Sequence, residues 1–127
     1  MRLIYLLAMV ALLLPTAVFA ADSPEIMRCG FCTSIEEREP VDTPETIEQG
    51  QQTAYFFTEV ANGSGQSLTH KWYFNDVPIA EIPLKVGTDR WRTWSTKQVW
   101  HLTPGTIKVQ VSDTGGKILA EETITIQ

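Results

Sequence analysis

The 127-residue sequence contains little that announces a chemistry. It has two cysteines and two histidines. Cys29, Cys32, His70 and His101 have the right number and type for tetrahedral zinc, but their spacing is not that of a finger and they fall on separate stretches, so no metal site is assigned. No Ser/His/Asp set, no G-x-S-x-G elbow and no glycine-rich phosphate loop can be found. The expectation is a non-enzymatic chain with no catalytic residues and no cofactor. Positive charge is also scarce, with 10 Lys and Arg against 15 Asp and Glu and a formal net charge of −5. A nucleic-acid partner would need a basic patch or stripe, so this balance argues against one. No internal repeat or low-complexity tract is present.

Only one long hydrophobic run occurs, and it lies at the start. Met1-Arg2 is followed by the apolar stretch Leu3 to Leu14, then Pro15, and Val18-Phe19-Ala20 fits a small-residue cleavage pattern. This predicts a secretory signal peptide over residues 1–20, cut after Ala20, and hence an exported, periplasmic protein. The rival reading is an uncleaved anchor, which would be the only route to a membrane. The run is short for spanning a bilayer. Residue 21 is Ala, so the cysteine used for bacterial lipid attachment is missing. Cleavage removes Arg2 and leaves 107 residues with nine basic against 15 acidic side chains. That length can bury one core without metals or multiple disulfides.

Residues 21–25 are expected to be a flexible lead-in to a single domain over 26–127. From Ile26 to Ile35 the chain alternates, with Met27, Cys29, Phe31 and Ile35 on one side. Residues 36–52 carry six acidic side chains with Pro40 and Pro44, which predicts an acidic loop rather than a helix. The carboxylates there lack the ordered spacing of a calcium loop. Beyond Gln52 the pattern is that of strands: Thr53–Ala61, Leu68–Asn75, Val77–Val86, the stretch from about Arg90 to Trp100, Thr106–Ser112 and Ile118–Ile126. Most are separated by turn residues such as Asn62-Gly63 and Asp113-Thr114-Gly115-Gly116. Pro78 and Pro83 lack amide donors, which places Val77–Val86 at a sheet edge. Together these give about seven strands and predict an all-β fold, a small immunoglobulin-like antiparallel sandwich, with Trp72 in its core.

The densest stretch is Asp89-Arg90-Trp91-Arg92-Thr93-Trp94-Ser95. On a strand, Arg90, Arg92 and Trp94 share one face, and Trp91, Thr93 and Ser95 the other. Arginine beside tryptophan can stack as a surface ladder or grip a planar or anionic ligand. The plain alternative is that the cluster serves packing, with Trp91 as a core anchor. With Lys71 and Tyr73, the face of Arg90, Arg92 and Trp94 is the candidate site for a protein or glycan partner of the cell envelope. His70 shares its side with Leu68 and Trp72, which suits a partly buried histidine bonded to a neighbouring strand better than a catalytic one. Cys29-Gly30-Phe31-Cys32 is a C-x-x-C without the strand-to-helix context of a redox motif. The pair is open to three readings: a disulfide needing a bulge at Gly30, an inert buried Cys29 with a separate Cys32, or a thiol-active site.

The strings Tyr55-Phe56-Phe57-Thr58-Glu59, Leu68-Thr69-His70-Lys71-Trp72-Tyr73, Ala80-Glu81-Ile82-Pro83 and Val86 to Ser95, with Arg38-Glu39-Pro40-Val41-Asp42 earlier, resemble an uncharacterised bacterial family known as domain of unknown function 2914. The resemblance extends over about residues 26–126. It implies a compact, exported or membrane-attached β-domain and no established activity. It names no ligand, and Cys29 and Cys32 lie outside its pattern.

Overall fold

The computed structural model describes residues 23–127. The signal-peptide reading over 1–20, and the first two residues of the expected lead-in, lie outside the described residues. Within them Pro24 is buried and Glu25 already opens a strand, so residues 24 and 25 are part of the domain edge.

The described chain is all-β, as expected. Ten strands run in the order β1 (Glu25–Cys32), β2 (Ser34–Glu36), β3 (Glu39–Val41), β4 (Thr46–Ile47), β5 (Thr53–Ala61), β6 (Ser67–Phe74), β7 (Val77–Lys85), β8 (Arg90–Gln98), β9 (Gly105–Ser112) and β10 (Ile118–Ile126). A three-stranded sheet, β1-β5-β8, faces a five-stranded sheet, β4-β10-β9-β6-β7, and β2 and β3 form a separate hairpin. All pairings are antiparallel except the short contact of β4 with the end of β10. No helix of the described residues is long and apolar enough to cross a membrane.

The seven long strands correspond to the seven alternating segments of the sequence. Of the three additional strands, β3 and β4 correct the expected acidic loop over 36–52, and β2 reaches only its first residue. Glu37 and Arg38 both take positive φ, 50° and 63°, which is the geometry of a two-residue hairpin turn. Such turns usually carry Asn or Gly, so this one has no turn signature in the sequence. Further on, Thr46 and Ile47 pair with Thr125 and Ile126, and Ile47 is buried.

A second correction concerns the first strand. A register shift between Ile26 and Arg28 leaves Met27 on the surface, 44% exposed. Ile26, Cys29 and Phe31 therefore turn inward, opposite Val60, Thr58 and Phe56. The expected strand to Ile35 is also broken at Thr33, whose amide donates to the Val41 carbonyl at the base of the hairpin. Likewise β8 stops at Gln98 rather than Trp100, because Val99 and Leu102 close a turn.

The core lies between the two sheets. Phe56 and Val60 from β5, Leu68 and Trp72 from β6, and Ile107, Val109 and Val111 from β9 are fully enclosed. Phe31, Phe56 and Trp72 meet edge to face, with centroids 5.0–6.5 Å apart. Each such side chain contributes roughly 1.5–3 kcal/mol through burial. β7 is the edge strand that Pro78 and Pro83 predicted.

Candidate functional site

Pairing registers build the candidate face row by row on the outer surface of the three-stranded sheet. Arg28 of β1, Glu59 of β5 and Arg92 of β8 stand side by side. The next row is Gly30, Phe57 and Trp94. Ala61 and Arg90 form the row on the other side. A carboxylate between two guanidiniums on neighbouring strands is a favourable cross-strand arrangement. Arg28 places Nε and Nη2 on Glu59 Oε2, at 3.0 and 2.6 Å. Arg90 reaches Glu59 Oε1 only at 4.0 Å and keeps 68% of its side chain exposed. Arg28 also lies over the ring of the buried Phe57.

The β2–β3 hairpin lands on this face. Glu39 accepts hydrogen bonds from both Arg28 and Arg92. The hydrogen bond from Arg92, then that from Arg28, holds the Glu39 carboxyl below the usual carboxylate range. Arg38 stacks over the rings of Trp91 and Trp94, at 4.7 and 5.6 Å from their centroids, and donates to the backbone carbonyl of Arg92. The predicted Arg/Trp ladder is therefore present with a different cation: Arg38, 54 residues away from Arg92 in sequence, supplies the stack. Arg28, Arg38, Glu39 and Glu59 were absent from the sequence-derived site. The available signal was Glu59, a lone charge in the apolar run Tyr55–Ala61.

Lys71 and Tyr73 do not join this face. They lie on β6 in the five-stranded sheet, with Gln110 and Lys108 as cross-strand neighbours. Tyr73 donates to Gln110 and is flanked by the Nζ atoms of Lys71 and Lys108. The outer faces of the two sheets point in opposite directions, so the five predicted binding residues form two separate groups. Trp100 is exposed past the end of β8, edge-on to His101.

His70 is fully buried rather than partly so, and its partners belong to the opposite sheet rather than to a neighbouring strand. Its Nε2 lies 2.9 Å from Thr58 Oγ1, and its Nδ1 lies 2.6 Å from Ser95 Oγ. Trp72 Nε1 donates to the same Ser95 oxygen at 3.0 Å. One neutral tautomer satisfies the set: Trp72 donates to Ser95, Ser95 to Nδ1, and Nε2–H to Thr58. Burial lowers the His70 pKa to about 4. This serine–histidine contact is sealed in the core without a carboxylate, so it holds the two sheets together rather than meeting a substrate.

Cys29 and Cys32 are both free thiols. Cys29 sits opposite the inward Thr58 and Cys32 opposite Tyr55, so they point to opposite faces of β1. Burial is the main cause that raises each thiol to a pKa of about 11. Among the described residues no group of three or more His, Cys, Asp or Glu comes together as a metal site.

Residues 65–126, the stretch that holds β6 to β10, match the model of a family described as Protein of unknown function (DUF2914). The match is shorter than the resemblance read from the sequence, whose strings at 38–42 and 55–59 fall outside it. No curated protein matches the chain. Among solved structures, the chain is similar to a superoxide reductase (neelaredoxin) from Ignicoccus hospitalis, at 13% identity and a TM-score of 0.41, over 84% of this chain and 81% of that one.

Proposed function

We propose that this chain, which matches the model of a family without an assigned activity, is a non-catalytic binding module of the bacterial cell envelope. It is exported to the periplasm, and it engages a protein or glycan partner through the outer face of the three-stranded sheet. Arg90, Arg92 and Trp94 carry the contact, with Arg28 beside them. Lys71 and Tyr73 are left out, because they lie on the other sheet. The observation that carries this reading is a convergence. All four arginines of the described residues gather on or over one face, while Lys71 and Lys108 lie on the other sheet. Arginine forks and tryptophan rings are the groups most used to anchor partners. The raised pKa of both cysteines and their opposed directions speak against a thiol-active site.

The test is to probe peptide and glycan arrays with the exported chain and with an Arg90→Glu variant. Arg90 is mostly exposed and its loss leaves the core untouched. Binding that the variant loses supports the module. Absence of binding on both arrays, or binding that ignores the substitution, overturns it.

A further inference from the structure

We infer that Arg28 and Arg92 form a carboxylate-binding site, occupied in this structure by the chain's own Glu39, and that its external ligand is an acidic side chain of an extended peptide that displaces the β2–β3 tip. The inference deepens the binding-module reading and rests on it.

The site is held in place from beneath. One edge of the Arg28 guanidinium is tied to Glu59, which leaves Nη1 and Nη2 to face Glu39. Arg92 closes on the same carboxylate from the opposite side. Two arginines aimed at one carboxylate, one of them fixed by a largely buried partner, make a preorganised acceptor for such a group.

The occupant is weakly fastened. β2 and β3 are three residues each, in a two-stranded sheet without a third strand. Isolated ribbons of this kind are marginal in water. The turn holds Glu37 and Arg38 in left-handed backbone, which side chains other than Asn, Asp or Gly seldom adopt. No residue from 34 to 41 belongs to the hydrophobic core or packs against it. The base is anchored separately, with the Thr33 amide and hydroxyl both donating to the Val41 carbonyl. Lifting the tip therefore breaks the Glu39 and Arg38 contacts and leaves the sandwich intact.

A peptide fits better than a sugar. The present occupant is itself a peptide, and Arg38 beside Glu39 takes a carbonyl on the outer edge of β8, where backbone groups have no neighbouring strand. Next to Arg28, the missing side chain at Gly30 leaves a hollow of about 330 Å³, lined from the sheet by Phe31 and Phe57 and roofed by Pro40 of the hairpin, which leaves with the tip. A Cβ at Gly30 would meet nothing within 4 Å. Glycine inside a strand often marks such an approach. The hollow suits an apolar residue adjacent to the acidic one.

The experiment titrates acetyl-Leu-Glu-Leu-amide, its Gln counterpart and oligogalacturonate into the exported wild-type chain and a Glu39→Ala variant, by calorimetry. The variant should bind the Glu peptide at least about tenfold more tightly than wild type and ignore the Gln peptide. Adding Arg92→Gln to it should remove the gain. A variant that keeps its melting temperature and gains nothing overturns the inference, as does equal binding of the Gln peptide or preference for oligogalacturonate. Should Glu39→Ala fail to fold, Glu39→Gln gives the same comparison with shape retained. Array ligands lost in Arg90→Glu but unaffected by Glu39→Ala leave the module standing and remove this site. A gain in Glu39→Ala with blank arrays does the reverse.

Discussion

His70 and Ser95 belong to strands of opposite sheets and share a 2.6 Å hydrogen bond in the closed core. The pair joins the two layers of the sandwich where a purely apolar contact would leave their register free. Its cost is a titratable ring placed where a charge is disfavoured, so stability becomes linked to pH.

Acid should weaken the fold through His70. Its folded pKa, about 4, is depressed below the ordinary 6.5. The unfolded chain therefore takes up a proton first as pH falls. The stabilisation is complete above pH 6.5, is lost progressively towards pH 4 and is gone below it. The full loss is about 3 kcal/mol. Urea unfolding across this window should show the slope in wild type, and a His70→Gln variant should lack it. Glu39 adds a separate loss at lower pH, in the carboxylate range, which Glu39→Gln removes.

Removing the Ser95 hydroxyl should be costly for a residue so small. Ser95→Ala leaves Trp72 Nε1–H and His70 Nδ1 without their shared partner inside the core. Roughly 2–4 kcal/mol should be lost, read as a fall in the urea midpoint. Ser95→Thr, which keeps the hydroxyl, should recover part of it. A loss of only a few tenths would mean that the relay carries no weight.

Gly87 is required by Trp91. A Cβ added at Gly87 would lie 2.9 Å from two ring carbons of Trp91. Gly87→Ala should displace that ring, destabilise the domain by about 1–3 kcal/mol and shift the tryptophan emission. Gly50→Ala is the contrast: open space surrounds a Cβ there, and the cost should come from its φ of +92° alone.

The thiols should be silent in the folded protein. With both pKa values raised to about 11, neither is a thiolate at neutral pH. Alkylation of the native chain at pH 7.5 should be slow for both, and fast in denaturant. An assay of insulin reduction should give no turnover, and a Cys32→Ser variant should behave identically. Air-oxidised protein should still titrate two free thiols, since the side chains point to opposite faces of β1.

Much of the fold could be read from local chemistry. The aromatic richness of Thr53–Ala61, the alternation in Thr106–Ser112, the prolines of β7 and the turn at Asn75-Asp76 each depend on neighbours within a few residues, and the observed strands follow them. Parity likewise put Arg90, Arg92 and Trp94 on one side of β8 and Trp91 with Ser95 on the other. The hairpin at Glu37-Arg38 escaped because its turn uses residues with no turn preference of their own.

The sequence alone thus determined the class of fold, the two faces of β8 and the edge position of β7, because side-chain period and missing amides are local properties. The tertiary structure decided what meets what. Register across β1, β5 and β8 set Arg28, Glu59 and Arg92 in one row, and the hairpin brought Arg38 and Glu39 onto it. Sheet assignment separated Lys71 and Tyr73 from that row. Stacking of the two layers buried His70 against Ser95. Each of these depends on residues tens of positions apart, brought together by the core that the local patterns build.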